Sequence, residues 1–171
     1  VFSPEPISTK LPSEIFQSKM KEYKNNTYNL AFQYPEDWYI KDNTSNDLYQ
    51  LFASKEKVEK PGDVYLTGIG VSKIYNAGKR IGLKSTNAVD VAKEFLPRYI
   101  NAIRTSKTVV TVFANSPIEV GKDTGYITEF AFTDKYGRML SNFYVMLYKD
   151  DTFVTVIMES TQQEFARYRK I

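Results

Sequence analysis

The stretch Tyr28-Asn29-Leu30-Ala31-Phe32-Gln33-Tyr34-Pro35-Glu36-Asp37-Trp38 places large residues at 28, 30, 32 and 34 in alternation with Asn29, Ala31 and Gln33. A period of two is that of a strand with one buried face. Pro35 stops the ladder, because its ring nitrogen has no hydrogen to donate. Trp38, the single tryptophan of the chain, follows at once and is expected to anchor the core where the strand ends. Just upstream, Met20–Lys24 reads as a partner strand turning at Asn25-Asn26-Thr27, in preference to a short helix over Ser13–Tyr23.

Downstream, Leu48–Ala53 and Val64–Tyr75 read as strands. In the second, Tyr65, Thr67, Ile69 and Val71 share one face, and Gly68 and Gly70 the other. A glycine pair leaves room for an element lying close above it, and a helix is expected there. Ala88, Val91, Ala92, Phe95, Tyr99 and Ile103 then recur at helical spacing, behind capping candidates at Ser85-Thr86-Asn87. Asp90 in the first turn and Arg104 near the end suit the helix dipole, and Pro97 predicts a kink or two abutting helices near Phe95.

The last third reads as a meander over Thr108–Phe113, Gly125–Thr133, Met139–Tyr148 and Phe153–Glu159. Its hairpin turns fall at Asp134-Lys135-Tyr136-Gly137 and Lys149-Asp150-Asp151-Thr152. Thr161-Gln162-Gln163-Glu164 has the form of a capping box opening a closing helix with Phe165 and Tyr168. Residues 1–18, with Pro4, Pro6 and Pro12, read as an extended leader, leaving 19–171 as one domain. Segregated strands and helices joined by short hairpins imply an α+β domain, an antiparallel sheet with helices packed on it. Gly-x-Gly-x-x-Gly and the phosphate loop are both missing, which argues against the nucleotide-binding α/β folds.

A chain of 171 residues that is 42% hydrophobic and 15% aromatic can build a core without staples. It has no cysteine and no histidine, which removes thiol nucleophiles, disulfides, thiolate metal sites and the commonest general base. Cysteine-free composition suits export and is equally compatible with the cytoplasm. The 23 basic and 20 acidic residues are interspersed, without the basic stripe of a nucleic-acid binder. Lys55-Glu56-Lys57-Val58-Glu59-Lys60 alternates in sign as a solvated loop does. No apolar run is long enough to span a membrane, so membrane association is expected only through an anchor removed from ahead of Val1.

Tyr34-Pro35-Glu36-Asp37-Trp38, the Ala88–Ile103 helix and the Phe153–Ser160 strand with its closing helix together resemble the PsbP family and its bacterial and archaeal relatives, over roughly residues 20–171. The resemblance implies an α-β-α sandwich around a central antiparallel sheet. It also implies a non-enzymatic, extracytoplasmic module, of the kind that supports calcium and chloride retention in photosystem II. The same fold serves a Ran-binding nuclear import factor and exported bacterial proteins of unknown role, so fold alone does not assign the function. The metal-binding histidines discussed for photosynthetic members have no counterpart here, which speaks against the photosystem role.

No catalytic, cofactor or metal residues are assigned. Glu36, Asp37, Asp42 and Asp47 could bind calcium, but without an Asp-x-Asp-x-Asp-Gly loop they read as surface carboxylates. Asp134, Asp150 and Asp151 read as turn residues. Asn25 and Asn43 head chance-level glycosylation triplets. The long connection from Lys73 to Lys84, basic at Lys73, Lys79, Arg80 and Lys84, is the expected contact surface. The resulting expectation is an exported or lipid-tethered binding module, docking on a protein or cell-envelope component and not on nucleic acid. The alternative is a carboxylate-based hydrolase or small-ligand carrier with a pocket between helix and sheet.

Overall fold

The computed structural model describes residues 19–60, 66–104, 110–134 and 136–168. The leader expected over 1–18 lies outside them, as do the first residues of the strands expected from Val64 and Thr108. In chain order the elements are β1 (Met20–Asn25), β2 (Leu30–Pro35), β3 (Tyr39–Ser45), β4 (Leu48–Ser54), β5 (Gly68–Ile74), α1 (Ala77–Arg80) and α2 (Ala88–Arg104). They continue with β6 (Val110–Val120), β7 (Asp123–Thr133), β8 (Met139–Lys149), β9 (Thr152–Thr161) and α3 (Gln162–Tyr168). Strands β3–β9 form one seven-stranded sheet in the order β3-β4-β5-β9-β8-β7-β6, and β1–β2 a separate hairpin. Every pairing is antiparallel. The α+β class follows directly.

One face of the sheet carries α2. Val91, Ala92, Leu96 and Ile100 are buried against Tyr126, Phe130, Tyr144, Met146 and Phe153. Phe95 meets Phe153 edge-on at 4.9 Å, and the Tyr99 ring lies 5.0 Å from Tyr144 and 6.1 Å from Phe130. Asn87 supplies the cap, its Oδ1 accepting from the Asp90 amide at 2.9 Å. The helix continues through Pro97 without a break; the ring is on the solvent side, where water can satisfy the carbonyl it leaves unpaired.

The other face carries the β1–β2 hairpin. Leu30, Phe32 and Tyr34 cover Trp38, Ala53, Ile69, Val71 and Met158, as the period of two predicts. Tyr28 stacks on the buried Tyr49 at 4.2 Å. Phe165 of α3 joins the same cluster. The layer opposite α2 is therefore mostly a β hairpin, with α3 beside it.

The glycine pair does not receive a helix. Register sets Gly70 between Phe52 and Ile157, and an added Cβ there would lie 2.9 Å from Ile157 Cγ2 and 3.2 Å from Phe52 Cε1. Flanking side chains fill the room, while α2 lies over β6–β8. Glu164 also reaches beyond its own helix. Its carboxylate crosses to Lys55 Nζ at 3.0 Å and Thr67 Oγ1 at 3.2 Å, tying α3 to the β4–β5 connection.

Candidate functional site

Three connections meet at one end of the sheet: the β3–β4 turn at Asp47, the β5–α1 link at Tyr75–Asn76, and the β8–β9 turn at Asp150–Asp151. The last is a two-residue turn with φ of 49° and 54°, the type I′ signature that matches strand twist. Tyr75 N donates to Asp47 O at 2.9 Å and Ala77 N to Asp151 O at 3.0 Å. The Asp151 carboxylate accepts from Gly78 N at 2.7 Å and from the Tyr148 hydroxyl at 3.0 Å. Asn76, itself at φ 51°, donates from Nδ2 to Asp47 Oδ1 at 2.9 Å. These bonds fix the short helix α1 in place on the sheet.

Lys79 and Arg80 project from that corner and are exposed. They border an open groove of about 640 Å³ with Asp47, Asn76 and Asp151. Arg80 Nη1 stands 3.7 Å from Asp47 Oδ2 with both side chains partly exposed, an arrangement worth about 0–1 kcal/mol. Both carboxylates are committed to donors within the corner, so the two cations are the charges left facing outward. Lys84 follows on the same connection with an exposed side chain. Its amide and that of Ser85 bind the Glu94 carboxylate at 3.0 and 3.1 Å; the Lys84 amide leads the interactions that hold this acid below the usual carboxylate range.

Lys73 does not belong to this surface. It lies within β5 and faces the hairpin, with Nζ donating to Tyr28 O at 2.9 Å and lying 5.4 Å from the centre of the Tyr75 ring. Register, invisible in a run of basic residues, removes it from the group.

The calcium candidates are likewise dispersed. Glu36 and Asp37 lie in the β2–β3 turn, Asp42 within β3 where it accepts from Tyr23 OH at 3.2 Å, and Asp47 beyond the far end of that strand. No group of three or more acidic side chains suited to a metal occurs among the described residues. Asp134 accepts from the amides of Tyr136 and Arg138 at 2.8 and 2.9 Å and from Arg138 Nε at 2.7 Å, as a turn residue. Asn25 is held by its own turn, its Oδ1 accepting from Thr27 N and Tyr28 N.

Two features escaped sequence reasoning. At the opposite end of β3 and β4, a cavity of about 410 Å³ is lined by Tyr39, Ile40, Lys41, Phe52, Ser54, Lys57, Val58 and Glu59. On the α2 face, Glu159 pairs in register with Asn142. Burial pushes the Glu159 carboxyl up to about 7. Asn142 is 1% exposed, and neither end of its amide has a hydrogen-bond partner among the described residues. Nothing in the local pattern distinguishes this glutamate from the exposed ones.

No family model and no curated protein matches the chain. Among solved structures, the chain is similar to cyanobacterial PsbP (CyanoP) from Synechocystis sp., at 11% identity, with 90% of this chain and 86% of that one covered and a TM-score of 0.60. It is also similar to PA94 of Pseudomonas aeruginosa, a protein of unknown function, at 9% identity, 88% and 89% coverage and a TM-score of 0.46. The first likeness shows that the chain has the PsbP-like fold; at that identity it speaks of fold alone. The second is too distant to carry an argument.

Proposed function

We propose that this protein of PsbP-like fold is a non-enzymatic, exported docking module that presents Lys79 and Arg80, with Lys84 beside them, to an anionic surface on a protein or envelope partner. The observation behind this reading is the α1 corner. Three connections brace it through backbone and carboxylate bonds, and its two outward cations are loosely held: Lys79 has no ion-pair partner among the described residues, and Arg80 has only Asp47 at 3.7 Å. A braced ledge loses little freedom on binding, so its charges act with a small ordering cost.

The alternative, a hydrolase or a carrier with a pocket between helix and sheet, has less behind it. The underside of α2 is filled by Phe95 and Tyr99 against Phe130, Tyr144 and Phe153. Glu159 is one buried carboxyl, and Asp134, whose charge reaches it, is already taken by Arg138 and the turn amides.

The test compares the protein with a Lys79→Ser/Arg80→Ser variant for retention on envelope fractions of its host over a salt series. Exposed charges are screened beyond about 8 Å at physiological ionic strength. Retention should fall with salt for the parent and be weaker and flatter for the variant, with melting temperatures nearly equal. Equal retention with equal salt dependence would remove this corner from the interface.

A further inference from the structure

We propose that the outer edge of β3, unpaired among the described residues, and the cavity beside it bind an extended peptide of a partner protein as an added strand, with one apolar side chain in the cavity and an acidic side chain two residues away against Lys41. This site lies at the other end of β3 and β4 from the α1 corner, so it stands or falls separately from the docking reading above.

β3 ends the seven-stranded sheet and, among the described residues, pairs only with β4. Its outer N–H and C=O groups therefore form a template for another strand. The sheet's two edges are built differently. β6 is interrupted by a register shift between Val112 and Ala114 and carries Pro117, both devices that discourage strand addition. β3 has neither: its pairing with β4 is unbroken from Tyr39↔Ser54 to Ser45↔Leu48.

The cavity lies directly beside this edge. Register puts Tyr39, Lys41, Phe52 and Ser54 on one face of the sheet, with Tyr39 47% and Phe52 36% exposed. Residues 57–59 complete the lining. The chain leading to them is held at Glu56: Ser54 Oγ donates to Glu56 O at 2.7 Å, and Glu56 Oε2 accepts from Leu66 N and Thr67 N at 3.0 and 3.2 Å. A volume of about 410 Å³ lies at the small end of the range of preformed ligand pockets, about 300–1,000 Å³. Such a site suits a single side chain from a longer ligand.

The charges define the rest of the ligand. Lys57 pairs with Glu59, leaving Lys41, among the described residues that line the cavity, as the cation without an ion-pair partner. Side chains two residues apart on an added strand share a face. An apolar residue over the cavity therefore brings the residue two positions along to Lys41, where a carboxylate is favoured.

The probe is a blocked hexapeptide, acetyl-Thr-Thr-Phe-Thr-Glu-Thr-amide, titrated into the isotope-labelled full chain and followed by amide NMR. Binding should perturb residues 39–45 and 52–59 and leave the α1 corner unchanged. N-methylation of alternate peptide bonds should abolish it, and replacing the peptide's Phe by Ala should weaken it about tenfold or more, as for a central anchor. A Lys41→Glu variant should prefer the peptide carrying Lys in place of Glu. Perturbation elsewhere, equal binding of the N-methylated peptide, or no binding would overturn the proposal. So would outward β3 amides already protected from exchange in the free chain, whether by residues 1–18 or by a second copy.

Discussion

Trp38 keeps 6% of its surface in solvent and packs among Ala53, Ile69, Val71 and Met158. Trp38→Ala should therefore cost about 3–5 kcal/mol, the range for buried aromatics cut to alanine, as read from chemical denaturation. A loss below about 1 kcal/mol would mean that the site collapses around the deletion. Glu159 poses a different problem, since burial pushes its carboxyl up to about 7. Between the ordinary glutamate value and 7 the folded chain holds a proton that the unfolded chain has released. Stability is then fully present below the ordinary value, is lost as pH rises toward 7, and stays constant above. The loss is at most about 3.5 kcal/mol. Glu159→Gln stays neutral throughout, so its melting temperature should hold steady from pH 5 to 8 while that of the parent declines. Parallel profiles for the two proteins would show that Glu159 is not the group responsible.

The β8–β9 turn separates backbone from side-chain effects, because Asp150 and Asp151 share a left-handed conformation but only Asp151 holds α1. At Asp150, glycine relieves the strain of positive φ and loosens the unfolded chain, and these oppose each other at about 1 kcal/mol each. Asp150→Gly should therefore be nearly neutral. Asp151→Gly also loses the bonds to Gly78 N and Tyr148 OH and should cost about 1 kcal/mol more. Equal effects would mean that the carboxylate bond does not steady α1. The same contrast explains which elements were legible beforehand. β2 and α2 each bury one face and carry its period in Leu30, Phe32 and Tyr34 or in Val91, Ala92, Phe95 and Tyr99, while β5 and β7–β9, covered on both faces, show as β-rich runs between turn residues. β3 does not, since Lys41, Asp42, Asn43, Thr44 and Ser45 are all exposed and the strand is held by its ladder to β4. α1, four residues long, is held by Asp151 from 73 positions away, a bond no local window contains. Lys79 and Arg80 were legible as neighbours on a basic connection; the diversion of Lys73 to the hairpin, the burial of Glu159 and the cavity beside Tyr39 all arise from register between distant strands.

The sheet joins two meanders, β3–β4–β5 and β6–β7–β8–β9, through the single β5–β9 pairing. A seam of that kind could part independently if each half had its own core. Neither does. On the hairpin face, Trp38, Ala53, Ile69 and Val71 from the first half share a cluster with Met158 of the second. On the α2 face, Ala77 and Leu83 join Phe130, Tyr144 and Phe153. Opening the seam would expose apolar surface on both faces at once, at about 25 cal/mol per Å², with no compensating local structure. The chain should therefore unfold in one cooperative step despite the length of the sheet. Trp38 makes this testable without labelling, because its fluorescence reports the hairpin-face cluster while far-UV circular dichroism reports the whole sheet and α2. The two should give one denaturation curve with the same midpoint and slope. A Trp38 transition that precedes the loss of circular dichroism would mean that β1–β5 open first and that the seam is a boundary between two folding units.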